Sequence, residues 1–143
     1  MTRTFVAEKT VSIHAPAGAV WQALTDPEKV RQYMHGTTIA TDWKIGSPIT
    51  WSGEWKGKSY QDKGVVLAFD PEEVLSTTYW SSMSGKEDKP ENYYTVTYRL
   101  DGDGETTTLT LEQDGNESQE AADQMAQNNW GPVLESLKEV AER

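Results

Sequence analysis

The sequence predicts an α+β domain in which a curved antiparallel sheet of about six strands grips one long C-terminal helix. Three observations carry this: period-2 alternation recurs between Phe5 and Leu111, short turns join the alternating runs, and an apolar stripe at spacings of three and four extends from Ala122 to Val140. Such a helix covers one face of a sheet, and helices gathered on one face of an antiparallel sheet define the α+β class.

Strand one runs from Phe5 to His14, with Val11 and Ile13 on one side and Thr10 and Ser12 on the other. Pro16 opens a helical stretch carrying Val20, Trp21 and Leu24. Asp26-Pro27-Glu28 starts a second helix, with Asp26 as its cap and Pro27 at the first helical position. Beyond Gly36 the period returns to two. Ile49, Trp51, Gly53 and Trp55 share a face opposite Thr50, Ser52 and Glu54, and Lys56-Gly57-Lys58 turns the chain. The partner strand runs from Ser59 to Phe69, where Val65, Leu67 and Phe69 alternate, and Asp70-Pro71-Glu72 turns into a strand from Val74 to Trp80. Ser81 to Asn92, rich in Ser, Gly, Lys and Pro, reads as a loop. Tyr94, Val96, Tyr98 and Leu100 then form a face that Leu109 and Leu111 mirror across the Asp101-Gly102-Asp103-Gly104 turn.

Asn116 is placed to cap the last helix, with Gln119 three positions on as in a capping box. The stripe of Ala122, Met125, Ala126, Trp130, Val133, Leu134, Leu137 and Val140 follows. Gly131-Pro132 interrupts it and predicts a kink rather than an end, because proline loses a hydrogen bond and crowds the carbonyl four residues back.

Leu, Ile, Val and Phe supply only 24 of 143 residues, and 23 acids against 13 bases give a net charge of −10. That pairing alone borders on disorder. Six Trp and six Tyr offset it, since each large ring buries more surface than the aliphatic residue it replaces. One domain spanning 1–143 is expected. Without cysteine there is no disulfide, thiolate nucleophile or Cys-based metal site, which fits a reducing cytoplasm, the compartment expected. No signal peptide is read at the N-terminus and no segment approaches the ~18 apolar residues of a membrane span. A pI near 4.6 disfavours nucleic-acid and anionic-lipid partners. Leu100 to Leu137 holds nine acids and no Lys or Arg, a solvated face first and a docking surface for a basic protein second.

Several motifs in series then carry a family resemblance. Ile13-His14-Ala15-Pro16 through Asp26-Pro27-Glu28, Asp42-Trp43-Lys44-Ile45-Gly46, Trp51-Ser52-Gly53-Glu54-Trp55, Tyr60-Gln61-Asp62-Lys63-Gly64, Pro90-Glu91-Asn92-Tyr93 and Asn129-Trp130 with Val133-Leu134 and Leu137-Lys138 cover nearly the whole chain. Together they resemble SRPBCC proteins, the START and birch-allergen helix-grip superfamily, and within it the branch of the activator of heat-shock protein 90 ATPase. The resemblance implies a helix-grip fold with a cavity for a small apolar or amphipathic molecule between sheet and C-terminal helix.

Candidate cavity residues are Trp51, Trp55, Tyr94, Val96, Tyr98, Met125 and Trp130, with Tyr33 and Met34 at one mouth and Trp80 on a strand of no clean parity. Rings with hydroxyl or indole N–H tips suit such a lining because their bodies pack while their tips orient a ligand. No catalytic residue is assigned: His14 and His35 lack a recognisable partner, and Glu54 and Asp62 merely flank the first hairpin, with Glu54 pointing away from the Trp51 face. No metal or cofactor is expected either. Asp101, Asp103, Glu105 and Glu112 match positions of a calcium loop, but Thr106 stands where that loop requires glycine. Three functions follow: a small-ligand binding protein, a co-chaperone-like module with a protein partner, or a cyclase- or hydrolase-type enzyme. The first is preferred because it asks only for what the fold supplies.

Overall fold

The computed structural model describes residues 5–34, 36–82, 85–116 and 118–142, with the backbone alone of Trp55. Strand β1 (Phe5–Ile13) leads into helices α1 (Ala17–Thr25) and α2 (Pro27–Tyr33), followed by β2 (Thr38–Ala40), β3 (Pro48–Trp55), β4 (Lys58–Asp70), β5 (Val74–Tyr79), β6 (Tyr94–Gly102) and β7 (Thr107–Asn116). The strands form one antiparallel sheet in the order β1-β7-β6-β5-β4-β3-β2. From β2 to β7 it is a meander, and β1 closes it against β7.

Seven strands stand where about six were expected. The additional one is β2, whose three residues pair Ile39 with Trp51 and are too few to display a period in sequence. The β3–β4 turn is as tight as its residues imply: Lys56 and Gly57 both take positive φ, 51° and 81°, as a two-residue type I′ turn requires. Asp26 caps α2 as expected, its carboxylate accepting from the Glu28 N–H at 2.9 Å.

The β4 face departs from expectation. Val65 and Leu67 are exposed, whereas Asp62, Gly64 and Val66 face inward and are buried. The register shifts between Val66 and Ala68, so a bulge resets the parity and returns Phe69 to the core side, where it meets Trp21 and Trp43.

The C-terminal helix has three parts, α3 (Gln119–Gln124), a π-helical segment (Met125–Trp130) and α4 (Gly131–Glu142). Its cap is Ser118, whose hydroxyl accepts from the Ala121 N–H at 3.0 Å. Asn116 instead ends β7 and donates to the carbonyls of Phe5 and Gln113, both at 3.0 Å. The helix continues past Pro132. The disturbance lies upstream as a widened turn in which the Gly131 N–H reaches back to the Ala126 carbonyl, a bond that bypasses the proline's missing donor. Leu134, Leu137, Val140 and Ala141 of α4 pack in one core with Ile13, Leu109 and Leu111 of the sheet and Val20 and Leu24 of α1.

Candidate functional site

Between the inward face of the sheet and the helices lies a cavity of about 40 Å³. Alternation delivers its walls: Ile49 and Trp51 from β3, Leu75, Thr77 and Tyr79 from β5, and Val96 and Tyr98 from β6. Leu24, Tyr33 and Met34 come from the helix pair, Ile39 from β2, Trp43 from the connection after it, and Trp130 from the π segment. Most of the cover is therefore α1, α2 and the Trp43 loop, and the C-terminal helix contributes Trp130. At roughly 10–15 Å³ per water the space admits about three waters.

The structure brings six of the sequence candidates around this cavity: Tyr33, Met34, Trp51, Val96, Tyr98 and Trp130. Tyr94 stands just behind, its ring 5.4 Å from that of Tyr79. Trp80 does not join them. Its neighbour Tyr79 faces inward, so Trp80 projects outward, stacking on Tyr93 at 6.3 Å beneath the Lys63 ammonium. Met125 packs instead against Ala7, Ala122 and Ala126 in a separate cluster. The Trp55 side chain and His35 lie outside the described residues. His14 is exposed, with Nδ1 3.3 Å from the Thr106 hydroxyl, and Glu54 is exposed as parity implied. Asp103 uses one carboxylate oxygen to accept from the Glu105 and Thr106 N–H groups, which makes the acidic hairpin tip a self-capped turn.

Sequence reasoning missed four contributors. Trp43 adopts φ 62°, a costly value for a bulky residue, and stacks on Phe69 at 5.5 Å. Gln113, inward on β7 and almost wholly buried, accepts the Trp130 indole N–H at 2.6 Å and tethers the π segment to the sheet. Tyr79 lies against Trp51 with centroids 4.9 Å apart and donates its hydroxyl to Asp62 Oδ2 at 2.5 Å. Asp62, level with Trp51 in the β3–β4 register, also accepts the Ser82 N–H at 2.9 Å and the Ser82 hydroxyl at 3.3 Å. The sequence placed Asp62 only beside the first hairpin; its position level with Trp51 follows from the β3–β4 register, and its partners, 17 and 20 residues away, had no sequence signal.

The electrostatics of the lining are uniform. Among the described residues, no charged side chain stands in the wall. Burial first, and neighbouring oxygens second, push the phenols of Tyr33, Tyr79 and Tyr98 well above their usual range, with Tyr98 acting on Tyr33, Asp62 on Tyr79 and Tyr94 on Tyr98. Tyr94 is raised likewise, by burial and then by Asp62. All four stay protonated at neutral pH, so the walls offer neutral polar tips on apolar bodies.

Among the described residues, the acids between Leu100 and Leu137 are spread over several elements. Asp101, Asp103 and Glu105 sit at the β6–β7 tip, and Glu112 lies on the outer sheet face paired with Arg99 at 3.0 Å. Glu120 and Asp123 are on α3 and Glu135 is on α4. No helix among the described residues is long and apolar enough to cross a membrane.

A curved antiparallel sheet closed on a long C-terminal helix, with an aromatic-lined space beneath two short helices, defines a helix-grip domain of the SRPBCC type. The chain belongs to the Activator of Hsp90 ATPase homolog 1-like protein family, whose model matches residues 14–142. The solution structure of ChR145 from Cytophaga hutchinsonii is similar at 42% identity and a TM-score of 0.82, over 97% of this chain and 94% of that one. MLL2253 from Mesorhizobium loti is similar at 25% identity and a TM-score of 0.69, over 93% and 95%. CalU16 from Micromonospora echinospora shares the fold, at 20% identity and a TM-score of 0.68, over 98% and 85%. Comparison with curated proteins gives no match.

Proposed function

We propose that this domain binds a small amphipathic molecule in the cavity between the sheet and the helices. The observation that carries the reading is the lining itself. Trp51, Tyr98 and Trp130 supply apolar bodies, Thr77 and Tyr79 are the polar members, and no charged side chain intrudes among the described residues. The space is small beside the roughly 300–1,000 Å³ of drug-sized sites. An occupant larger than a few waters therefore displaces Met34 and Trp43, both partly buried residues that pack on the edge of the core. The π-helical turn that carries Trp130 offers a third adjustable wall. A protein-partner function draws no comparable support, since the described acidic residues that motivated it are spread over the β6–β7 tip, β7 and the C-terminal helix.

Titration of the isotope-labelled protein with 2-naphthol, a neutral aromatic probe, tests the reading. Saturable shifts at Thr77, Val96, Tyr98 and Trp130 are expected, and Val96→Phe, which fills the void, is expected to weaken binding about tenfold, some 1.4 kcal/mol. Shifts confined to the outer sheet face, or equal affinity for the filled variant, would overturn it.

A further inference from the structure

We propose that the Asp62–Tyr79 pair makes this cavity selective for organic cations: a small amphipathic ammonium, its apolar body among the rings and its N–H donors on the Tyr79 oxygen. The inference rests on the binding function proposed above and specifies its ligand class.

Tyr79 is a wall residue with a single hydroxyl proton, and that proton is committed to Asp62. Toward anything in the cavity its oxygen can only accept. Behind it, Asp62 is 7% exposed, and its hydrogen-bond donors among the described residues are neutral, the Tyr79 hydroxyl and the N–H and hydroxyl of Ser82. None of the ion pairs among the described residues reaches it. A buried carboxylate balanced only by dipoles leaves an unmet demand for positive charge, which a cationic ligand supplies more cheaply than a neutral one. The surrounding surfaces have the same preference. Trp51 and Tyr94 flank Tyr79 at 4.9 and 5.4 Å, and ring faces attract cations. Among the described residues no Lys, Arg or His lines the cavity to oppose one, and the net charge of −10 repels organic anions before they arrive.

The competing explanation is that Asp62 only ties the 80–82 segment to β4. Titration with three ligands on one skeleton, 2-phenylethylammonium, 2-phenylethanol and phenylacetate, separates the two, read by amide shifts at about 0.15 and 0.5 M salt. The ammonium is expected to bind about tenfold more tightly than the alcohol, with phenylacetate weakest. The preference should survive high salt, which screens the net charge but not a desolvated contact. Asp62→Asn keeps one acceptor oxygen for the Ser82 donors and turns an amide N–H donor toward the Tyr79 oxygen; with the charge removed, the ammonium-to-alcohol ratio should fall to about one while the alcohol still binds. Tyr79→Phe removes the oxygen that receives the ammonium and should lower the ammonium-to-alcohol ratio at least about threefold, and an unchanged ratio there overturns the selectivity even if Asp62→Asn does not fold. Equal binding of ammonium and alcohol by the wild type, or an unchanged ratio in Asp62→Asn, overturns the selectivity and leaves the binding function standing. Failure of all three ligands to perturb the cavity overturns both.

Discussion

Two glycines show how closely the strands around the site approach one another. A Cβ on Gly64 would lie 1.8 Å from the Thr78 carbonyl oxygen, which is backbone and cannot move without parting β4 from β5. A Cβ on Gly53 would lie 2.8 Å from the Tyr60 hydroxyl, the far end of a side chain that can swing aside. The movement is not free, because Tyr60 is bonded to Thr37 at 2.6 Å and Thr37 donates to the Met34 carbonyl at 3.0 Å, securing the end of α2 beside the cavity. Gly64→Ala is therefore expected to destabilise by about 3 kcal/mol and Gly53→Ala by about 1 kcal/mol in urea denaturation. Equal and small costs would contradict this account of the packing. The same residues mark a limit of sequence reading. A glycine in an alternating run signals a bulge or a close approach, yet which atom approaches it depends on register, and nothing local to Gly64 identifies Thr78.

At the level of elements, the period-2 faces of β6 and β7 and the stripe of the terminal helix were legible, because each buries one side of a regular repeat. Val96, Tyr98, Leu109, Leu111, Leu134 and Leu137 are buried as their spacing implies. The failures fall where regularity fails: β2 is too short, the β4 bulge reverses Val65 and Leu67, and the π turn sends Met125 and Trp130 to different clusters. The link between Trp130 and Gln113 is the element-scale feature with the clearest energetic consequence, since it joins helix to sheet through a buried acceptor. Gln113→Leu strands the indole N–H and should cost about 2 kcal/mol, and Trp130→Phe strands the amide oxygen at a similar cost. The double variant should be more stable than the sum of the two losses by about 1 kcal/mol, because neither group is then left unpaired. Strict additivity in a double-mutant cycle would show that the bond contributes nothing.

For the molecule as a whole, a chain poor in aliphatic residues has built its interior from rings, and that choice sets its response to pH. Tyr33, Tyr79, Tyr94 and Tyr98 come from α2, β5 and β6, and all have phenols raised by burial above the ordinary value near 10. The folded state thus holds these protons at pH values where the unfolded chain releases them. With fewer protons bound in the unfolded state, stability falls as pH rises, and the contribution present below about pH 10 is lost progressively above it. Each tyrosine can add a slope of up to about 1.4 kcal/mol per pH unit, so the four act together to give a steep alkaline limit. The half-buried Tyr93, its phenol near the surface and pushed up to about 12 by partial desolvation and by Asp88, adds little because solvent screens it. Urea midpoints should be flat between pH 8 and 9.5 and fall sharply by pH 11, with phenolate absorbance near 295 nm appearing in step with unfolding. A midpoint unchanged through pH 11 would mean that these hydroxyls reach water in the folded state, and the closed aromatic interior on which the ligand site depends would have to be abandoned.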